Sequence, residues 1–382
     1  MEKITSILLS FVTTLSLFLG LHGNPDYQKL TGLKEAINSL ANKSEITETK
    51  YIGKESTYIW NENEEYSLQN TIVLKKSANK DLVILNITDM HFSDYDYRAF
   101  TAFDVEAKIK ALVANVKPDL ITVTGDIVCT DSTYYAIRRV TDLFESFGIP
   151  WAPVFGNHDN EGNCDLNYLA DIMMSSSNCV MQKGDPEMGV GNYIINIVEE
   201  TDGKETLVES IIMMDSHKSQ ANEKQIAWYN WAANGAKNLS DNKAEISLFF
   251  HIPIPEYQYA YDEAWDETNN CWKDSYNAFG EKNEDICCEK NDGIPVQRGF
   301  FDEIKNSGNT KFIFCGHEHL NNFSIDYQGI RLTYCLKIGV ASGAKFTFSG
   351  GTQINIGSAG INKIAHKSVA FGPVITLESI SI

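Results

Sequence analysis

From residue 81 onward, short apolar blocks alternate with longer stretches in which apolar residues recur at helical spacing. Asp81 to Ile87 is a β-branched apolar run with the length of a buried strand. Phe103 to Val116 places Ile109, Leu112, Val113 and Val116 on one helical face, and Pro118 closes it. Leu120 to Val123 reads as a second strand, Ala136 to Phe147 as a second helix ended by Gly148 and Pro150, and Trp151 to Phe155 as a third strand. Strand–helix–strand alternation of this kind predicts α/β layering with right-handed crossovers.

Beyond residue 190 the pattern predicts strands over 193–198 and 207–214, joined by a polar turn. A helix is expected over 220–236, with Ile226, Trp228, Tyr229 and Ala233 as apolar positions, and a buried strand over 246–250. Residues 256–297 are rich in Asn, acidic and aromatic residues and read as an insertion loop. A short helix over 300–304, a strand over 311–314 and a β-rich tail complete the chain. The expected organisation is a catalytic domain over 81–382, preceded by an extension over 24–80 packed on it.

The N-terminus changes the picture of location. After Lys3, no charge appears from Ile4 to Gly20, and Leu21-His22-Gly23-Asn24-Pro25 follows. Residues 1–23 read as a secretory signal peptide, which implies a secreted or endolysosomal protein. A retained anchor and a buried helix are the alternatives. No later stretch is long and apolar enough to span a membrane. Eight cysteines suit an oxidising compartment. Cys164–Cys179, and Cys271 with Cys287 or Cys288, are the expected disulfides, the second pinning the insertion. Among the glycosylation sequons, those at Asn42 and Asn238 are the credible acceptors. Asn86 lies within an apolar strand, and Asn322 lies beside a candidate site.

The chain has 382 residues, with 32 Lys and Arg against 51 Asp and Glu, a formal charge of −19. That balance excludes a protein whose main task is gripping a nucleic-acid polymer or an anionic membrane. A phosphorylated small molecule remains a fitting partner, provided that bound cations offset the negative field locally.

The strand-like runs share an ending. Each apolar block runs into a turn bearing Asp, Asn or His: Asp89-Met-His91, Gly125-Asp126, Gly156-Asn157-His158-Asp159, His251 and Gly316-His317-Glu-His319. Ligands of open α/β sheets bind at the carboxyl ends of strands. One histidine after a strand is ordinarily a partly buried, hydrogen-bonded residue; five such endings in order point to one site. Carboxylate oxygen with imidazole nitrogen suits a pair of transition-metal ions, Mn, Fe or Zn. Such a pair clamps the attacking and leaving oxygens of a phosphoryl transfer.

These five motifs resemble the series DxH, GD, GNH[DE], H and GHxH of the calcineurin-like metallophosphoesterases, over roughly residues 81–336. His251-Ile-Pro-Ile-Pro-Glu-Tyr257, Met214-Asp215-Ser216 and Gly299-Phe-Phe301 are similar to the purple acid phosphatase-related branch. The resemblance implies a four-layer αββα sandwich of two mixed β-sheets flanked by helices. It assigns Asp89, His91 and His319 to the first metal, Asn157, His251 and His317 to the second, and Asp126 as the bridge. His158 would contact the phosphate and assist the leaving oxygen, with Asp159 orienting its imidazole. The implied activity is hydrolysis of phosphate monoesters by a metal-bound hydroxide. The alternatives are a phosphodiesterase acting on nucleotides or phospholipid headgroups, and a metal-containing binding protein without turnover. One departure stands out: purple acid phosphatases carry Gly where His91 stands, and Tyr where Cys129 stands, three residues after the bridging Asp. The tyrosinate responsible for the purple colour is therefore missing, and the metal-loaded protein is expected not to be purple. Cys129 could itself be a soft metal ligand, but a buried or disulfide-bonded Cys is the expectation.

Overall fold

The computed structural model describes residues 48–50, 59–93, 99–201, 203–216, 221–286, 290–291, 294–295, 299–339, 349–370 and 373–382. All lie in the compact unit from Glu45 to Ile382. The signal-peptide reading, the Asn42 sequon, Cys287 and Cys288 fall outside the described residues.

In chain order the elements are β1 (Glu48–Lys50), β2 (Ile72–Ser77), β3 (Leu82–Ile87), α1 (Ala99–Val116), β4 (Leu120–Thr124), α2 (Thr133–Glu145), β5 (Trp151–Val154), α3 (Leu166–Met174), β6 (Tyr193–Thr201), β7 (Lys204–Met213) and α4 (Glu223–Leu239). There follow β8 (Glu245–Phe249), α5 (Glu256–Ala264), the pairs β9 (Trp265–Asp266) with β10 (Cys271–Trp272) and β11 (Lys290–Asn291) with β12 (Ile294–Pro295), and α6 (Phe300–Ser307). The last strands are β13 (Thr310–Cys315), β14 (Ser324–Tyr327), β15 (Ile330–Tyr334), β16 (Gly350–Gly357), β17 (Gly360–Ser368) and β18 (Ile375–Ser381).

Two mixed sheets result. One has the order β18-β17-β16-β3-β4-β5, and the other β1-β2-β6-β7-β8-β13-β15-β14. Strands β3, β4 and β5 run parallel to one another, as do β7, β8, β13 and β15. Period-two alternation makes the larger sheet two-faced. Ile195, Ile211, Met213, Phe249, Phe312 and Phe314 face one apolar core, shared with the other sheet and α1 to α3. Ile194, Ile212, Leu248 and Ile313, the intervening residues, face a second core with Trp228 and Tyr229 of α4, Tyr257 of α5 and Phe300 of α6. Helices therefore flank a central pair of sheets, and the fold is the expected αββα sandwich. Among the described residues, no helix is long and apolar enough to cross a membrane.

Three expectations need correction. Strand β2 is hydrogen-bonded in parallel to β6 inside the larger sheet, so this part of the 24–80 extension is built into the sandwich rather than packed on it. Residues 256–264 form a helix, not a loop. Its buried Tyr257, Ala260 and Ala264 stand at helical spacing, a periodicity masked by the polar residues between them. Cys271 has no disulfide partner among the described residues, and the expected partners Cys287 and Cys288 lie outside them. Tyr261, Trp265, Trp272 and Phe323 pack together, with the Trp265 and Trp272 rings 4.9 Å apart. Nor are Cys164 and Cys179 joined: Cys164 is a thiol whose Sγ donates to Asn163 Oδ1 at 3.5 Å.

His366, which belongs to none of the motifs, is buried on β17. The amide of Leu336 donates to Thr352 Oγ1 (3.0 Å), which lies 3.0 Å from His366 Nδ1, while His366 Nε2 lies 2.8 Å from the Asn322 carbonyl. A carbonyl only accepts, so Nε2 carries the proton, and in the neutral ring Nδ1 accepts from the Thr352 hydroxyl. Burial pushes the His366 pKa down from 6.5 to about 4. Between those values the unfolded chain binds the extra proton, so this contribution is complete above pH 6.5 and disappears as pH falls through 4. It amounts to about 3 kcal/mol. His366→Gln is expected to lower stability at neutral pH and to flatten the acid limb of stability over that window, as read by urea unfolding at several pH values.

Candidate dinuclear metal centre

The five motif turns meet at one place. Three follow parallel neighbours of the six-stranded sheet: Asp89 and His91 after β3, Asp126 after β4, and Asn157 and His158 after β5. Two follow parallel neighbours of the eight-stranded sheet: His251 after β8, and His317 and His319 after β13. Each sheet thus offers the carboxyl ends of adjacent parallel strands, and the site lies where the two rows converge.

Asp126 is its hub. The carboxylate is buried, and Oδ1 accepts from the His158 amide at 2.9 Å. Oδ2 has no hydrogen-bond partner. Facing it are the Nε2 atoms of His251 at 3.2 Å, His91 at 3.5 Å and His158 at 4.0 Å. Asp89, fully buried, receives the His317 amide on both oxygens (3.2 and 3.1 Å) and Thr88 Oγ1 on Oδ2 (2.8 Å). His319 Nε2 lies 3.5 Å from Asp89 Oδ1 and 2.9 Å from His91 Nε2. On the other flank, Asn157 Oδ1 lies 3.2 Å from His251 Nε2, and the His251 and His317 rings stand edge to face at 5.1 Å. His251 Nδ1 donates to the Thr124 carbonyl at 2.8 Å, which orients the ring and aims Nε2 at the site.

The backbone is bent to make this possible. Asp89, His91, Asp126 and His317 all adopt positive φ, at 52, 46, 48 and 81°. A non-glycine residue held there costs of order 1–3 kcal/mol, a strain that clusters at functional sites. The loops repay it in main-chain bonds: Asp89 N donates to the Gly125 carbonyl (3.1 Å) and His91 N to that of Asp126 (3.0 Å). The loop after β13 is held by the insertion. Leu320 N donates to Glu284 Oε1 (2.5 Å), and Asn321 Oδ1 accepts from the Asn283 amide (2.9 Å). Glycines make room. A Cβ on Gly316 would lie 2.0 Å from Thr88 Oγ1 and 2.6 Å from Asp89 Oδ2, and one on Gly156 2.3 Å from both Asp126 N and Oδ1.

The electrostatics suit cations. Burial pushes Asp126 up, but the positive charge of His251 beside it outweighs burial and holds the carboxyl down at about 2. Burial likewise raises Asp89, and a hydrogen bond from His319 with the fields of His251, His319 and His91 brings it well below the usual range. Burial lowers His251, yet Asp126 and Asp89 raise it to about 10. The field that holds a proton on His251 would also hold a metal ion. His317 drops to about 4, through burial and then the His251 charge.

Two clusters of potential ligands emerge: Asp89, His91, Asp126 and His319, and Asp126, His251 and His317. They share Asp126. The orphaned buried Oδ2, the cradles that a methyl group would fill and the mixture of oxygen and imidazole nitrogen all fit a dinuclear transition-metal centre.

Asp159 departs from expectation. Its oxygens accept the amides of Val128 (2.8 Å) and Gly156 (2.7 Å), so it ties two site loops together instead of orienting His158. Burial and the nearby Asp126 raise its pKa to about 7. The carboxylate on the His158 ring belongs to Glu161, whose Oε2 lies 2.8 Å from Nδ1. The signal was present in the sequence as a Glu three residues after His158. Cys129 is also corrected: it is an exposed thiol, neither buried nor bridged.

A model of the calcineurin-like phosphoesterases matches residues 82–321, and the chain belongs to that family. Among curated relatives, the probable inactive purple acid phosphatase 14 of Arabidopsis thaliana is 24% identical, over 66% of this chain and 69% of its own length. Phosphatase DCR2 of Saccharomyces cerevisiae is 26% identical, over 66% of this chain and 46% of its own. Among solved structures, a dimetal phosphatase from Danio rerio shares the fold with a TM-score of 0.50 at 12% identity, over 79% of this chain and 99% of its own.

Proposed function

We propose that the protein is a secreted or endolysosomal phosphoesterase with two transition-metal ions, Mn, Fe or Zn, acting most readily on small phosphate monoesters. The observation that carries this reading is the buried, partnerless Oδ2 of Asp126, faced by imidazoles from three separate segments. Asp89, His91 and His319 would hold one ion, Asn157, His251 and His317 the other, and Asp126 both. When bound, the ions would lower the pKa of a water to near neutrality and neutralise charge on the phosphoryl oxygens.

The remaining work falls to the chain itself. The His158 ring is half-exposed, with Nε2 turned toward the centre and Nδ1 held by Glu161. Nε2 would then serve the leaving oxygen as proton donor, while the carboxylate fixes the ring. His158→Ala is expected to lower turnover by about 10²- to 10⁴-fold with the metal content unchanged. Glu161→Gln should lose about 10- to 100-fold, because Gln keeps the reach but not the charge. Kinetics run beside metal analysis check both; parallel loss of metal would move these residues into the cage.

The test of the whole reading is hydrolysis of p-nitrophenyl phosphate against its bis-ester, after EDTA treatment and add-back of Mn, Zn or Fe. Metal-dependent turnover of the monoester supports it, and a preference for the bis-ester would make the protein a diesterase. A second reading, a binding protein that retains the cage without turnover, draws on the likeness to the probable inactive purple acid phosphatase of Arabidopsis. Metal retention with neither ester cleaved would select it.

A further inference from the structure

A second donor set stands at the rim of the centre. Cys129 lies beyond β4, its amide donating to the Phe92 carbonyl at 3.2 Å, and its thiol is exposed. His158 and Glu161 come from the turn after β5. One donor atom of each lies within 4.8 Å of the other two. His158 Nε2 faces Asp126, which leaves Nδ1 on the Glu161 side of the ring.

We propose that Cys129, His158 and Glu161 form a third cation site, separate from the dinuclear centre, which takes one Zn²⁺ or Cd²⁺ through Sγ, Nδ1 and a carboxylate oxygen. The donor chemistry sets the class of ion. All the donors of the dinuclear centre are oxygen or nitrogen, whereas this set adds a thiolate, which selects a softer metal. Three protein ligands with an open fourth position form a familiar zinc arrangement. Metal–ligand distances of about 2.0–2.3 Å place tetrahedral donors roughly 3.2–3.8 Å apart, so donors that lie within 4.8 Å of one another need approach by no more than about an ångström, while Glu161 Oε2, 2.8 Å from Nδ1, must draw back slightly. Cys129 and Glu161 are exposed, and side-chain rotation supplies that movement. Binding releases the thiol proton to solvent and replaces the hydrogen bond between Nδ1 and Glu161. On the proposed hydrolytic reading, an ion here removes Glu161 from His158 and inhibits turnover.

The probe is Cd²⁺ titrated into the protein with its dinuclear centre loaded with Mn²⁺, read by thiolate-to-cadmium absorption in the ultraviolet. The expected result is one equivalent of that absorption in the native chain, its loss in Cys129→Ser, and at least ten-fold weaker binding in Glu161→Gln. Equal absorption at equal affinity in Cys129→Ser would place the thiolate elsewhere and overturn the proposal, as would no absorption at all. The reading needs no turnover, so it stands or fails apart from the assigned activity. Where turnover is present, Zn²⁺ beyond two equivalents should slow the native chain, while Cys129→Ser keeps its basal rate and resists the inhibition. Equal inhibition of both would count against the site.

Discussion

Asp126→Asn is expected to leave a folded protein that neither keeps two metal ions nor hydrolyses phosphate esters, with turnover down at least ~10³-fold. Asn has the shape of Asp and can still accept the His158 amide on Oδ1. What it loses is charge at Oδ2, the atom that three imidazole nitrogens approach and that lacks a hydrogen-bond partner. An amide there offers one weak ligand where two ions need a shared anion. Because Asp126 belongs to both ligand clusters, loss of both ions is expected rather than of one. Elemental analysis, thermal melting and initial rates together test this. A variant with two ions per chain and the native rate would remove Asp126 from its bridging role.

Gly156→Ala should do comparable damage without touching a ligand. Its methyl group would stand 2.3 Å from Asp126 N, 2.3 Å from Asp126 Oδ1 and 2.8 Å from the His251 ring. None of these can retreat at small cost. Asp126 sits at positive φ with Oδ1 bonded to His158 N, and His251 is pinned to the Thr124 carbonyl. The overpacking costs about 1–3 kcal/mol, and the displaced carboxylate should release metal. Unfolding by urea gives the first quantity and metal content the second. Native values of both would mean that the loops of β4 and β5 are far more pliant than their hydrogen bonds imply.

The two substitutions differ in what the sequence can foresee. That Asp126 belongs to a metal site is legible because each apolar run ends in the same vocabulary of Gly, Asp, Asn and His, and its bridging role is what the family resemblance implies. The crowding at Gly156 is not, because it depends on how closely β5 brings its turn to that of β4. Asp159 and Glu161 show the same limit. Adjacency along the chain favours Asp159 as the partner of His158, but the tight turn after β5 rotates Asp159 inward to the amides of Val128 and Gly156. Glu161, three residues on, reaches the ring instead. Helix α5 was hidden because its buried positions are separated by polar ones in a segment dominated by polar character.

By itself the sequence determined the alternation of strands and helices, the order of the motif turns and the kind of donor each carries, since these depend on neighbours within one element. Only the tertiary structure decided which strand ends of each sheet meet at the site, and that β2 is built into the larger sheet. The same holds for the left-handed turns at Asp89, His91, Asp126 and His317, and for Cys129 remaining a thiol at the rim. Those outcomes are set by contacts between residues far apart in the chain, where packing and the matching of buried polar groups override local preference.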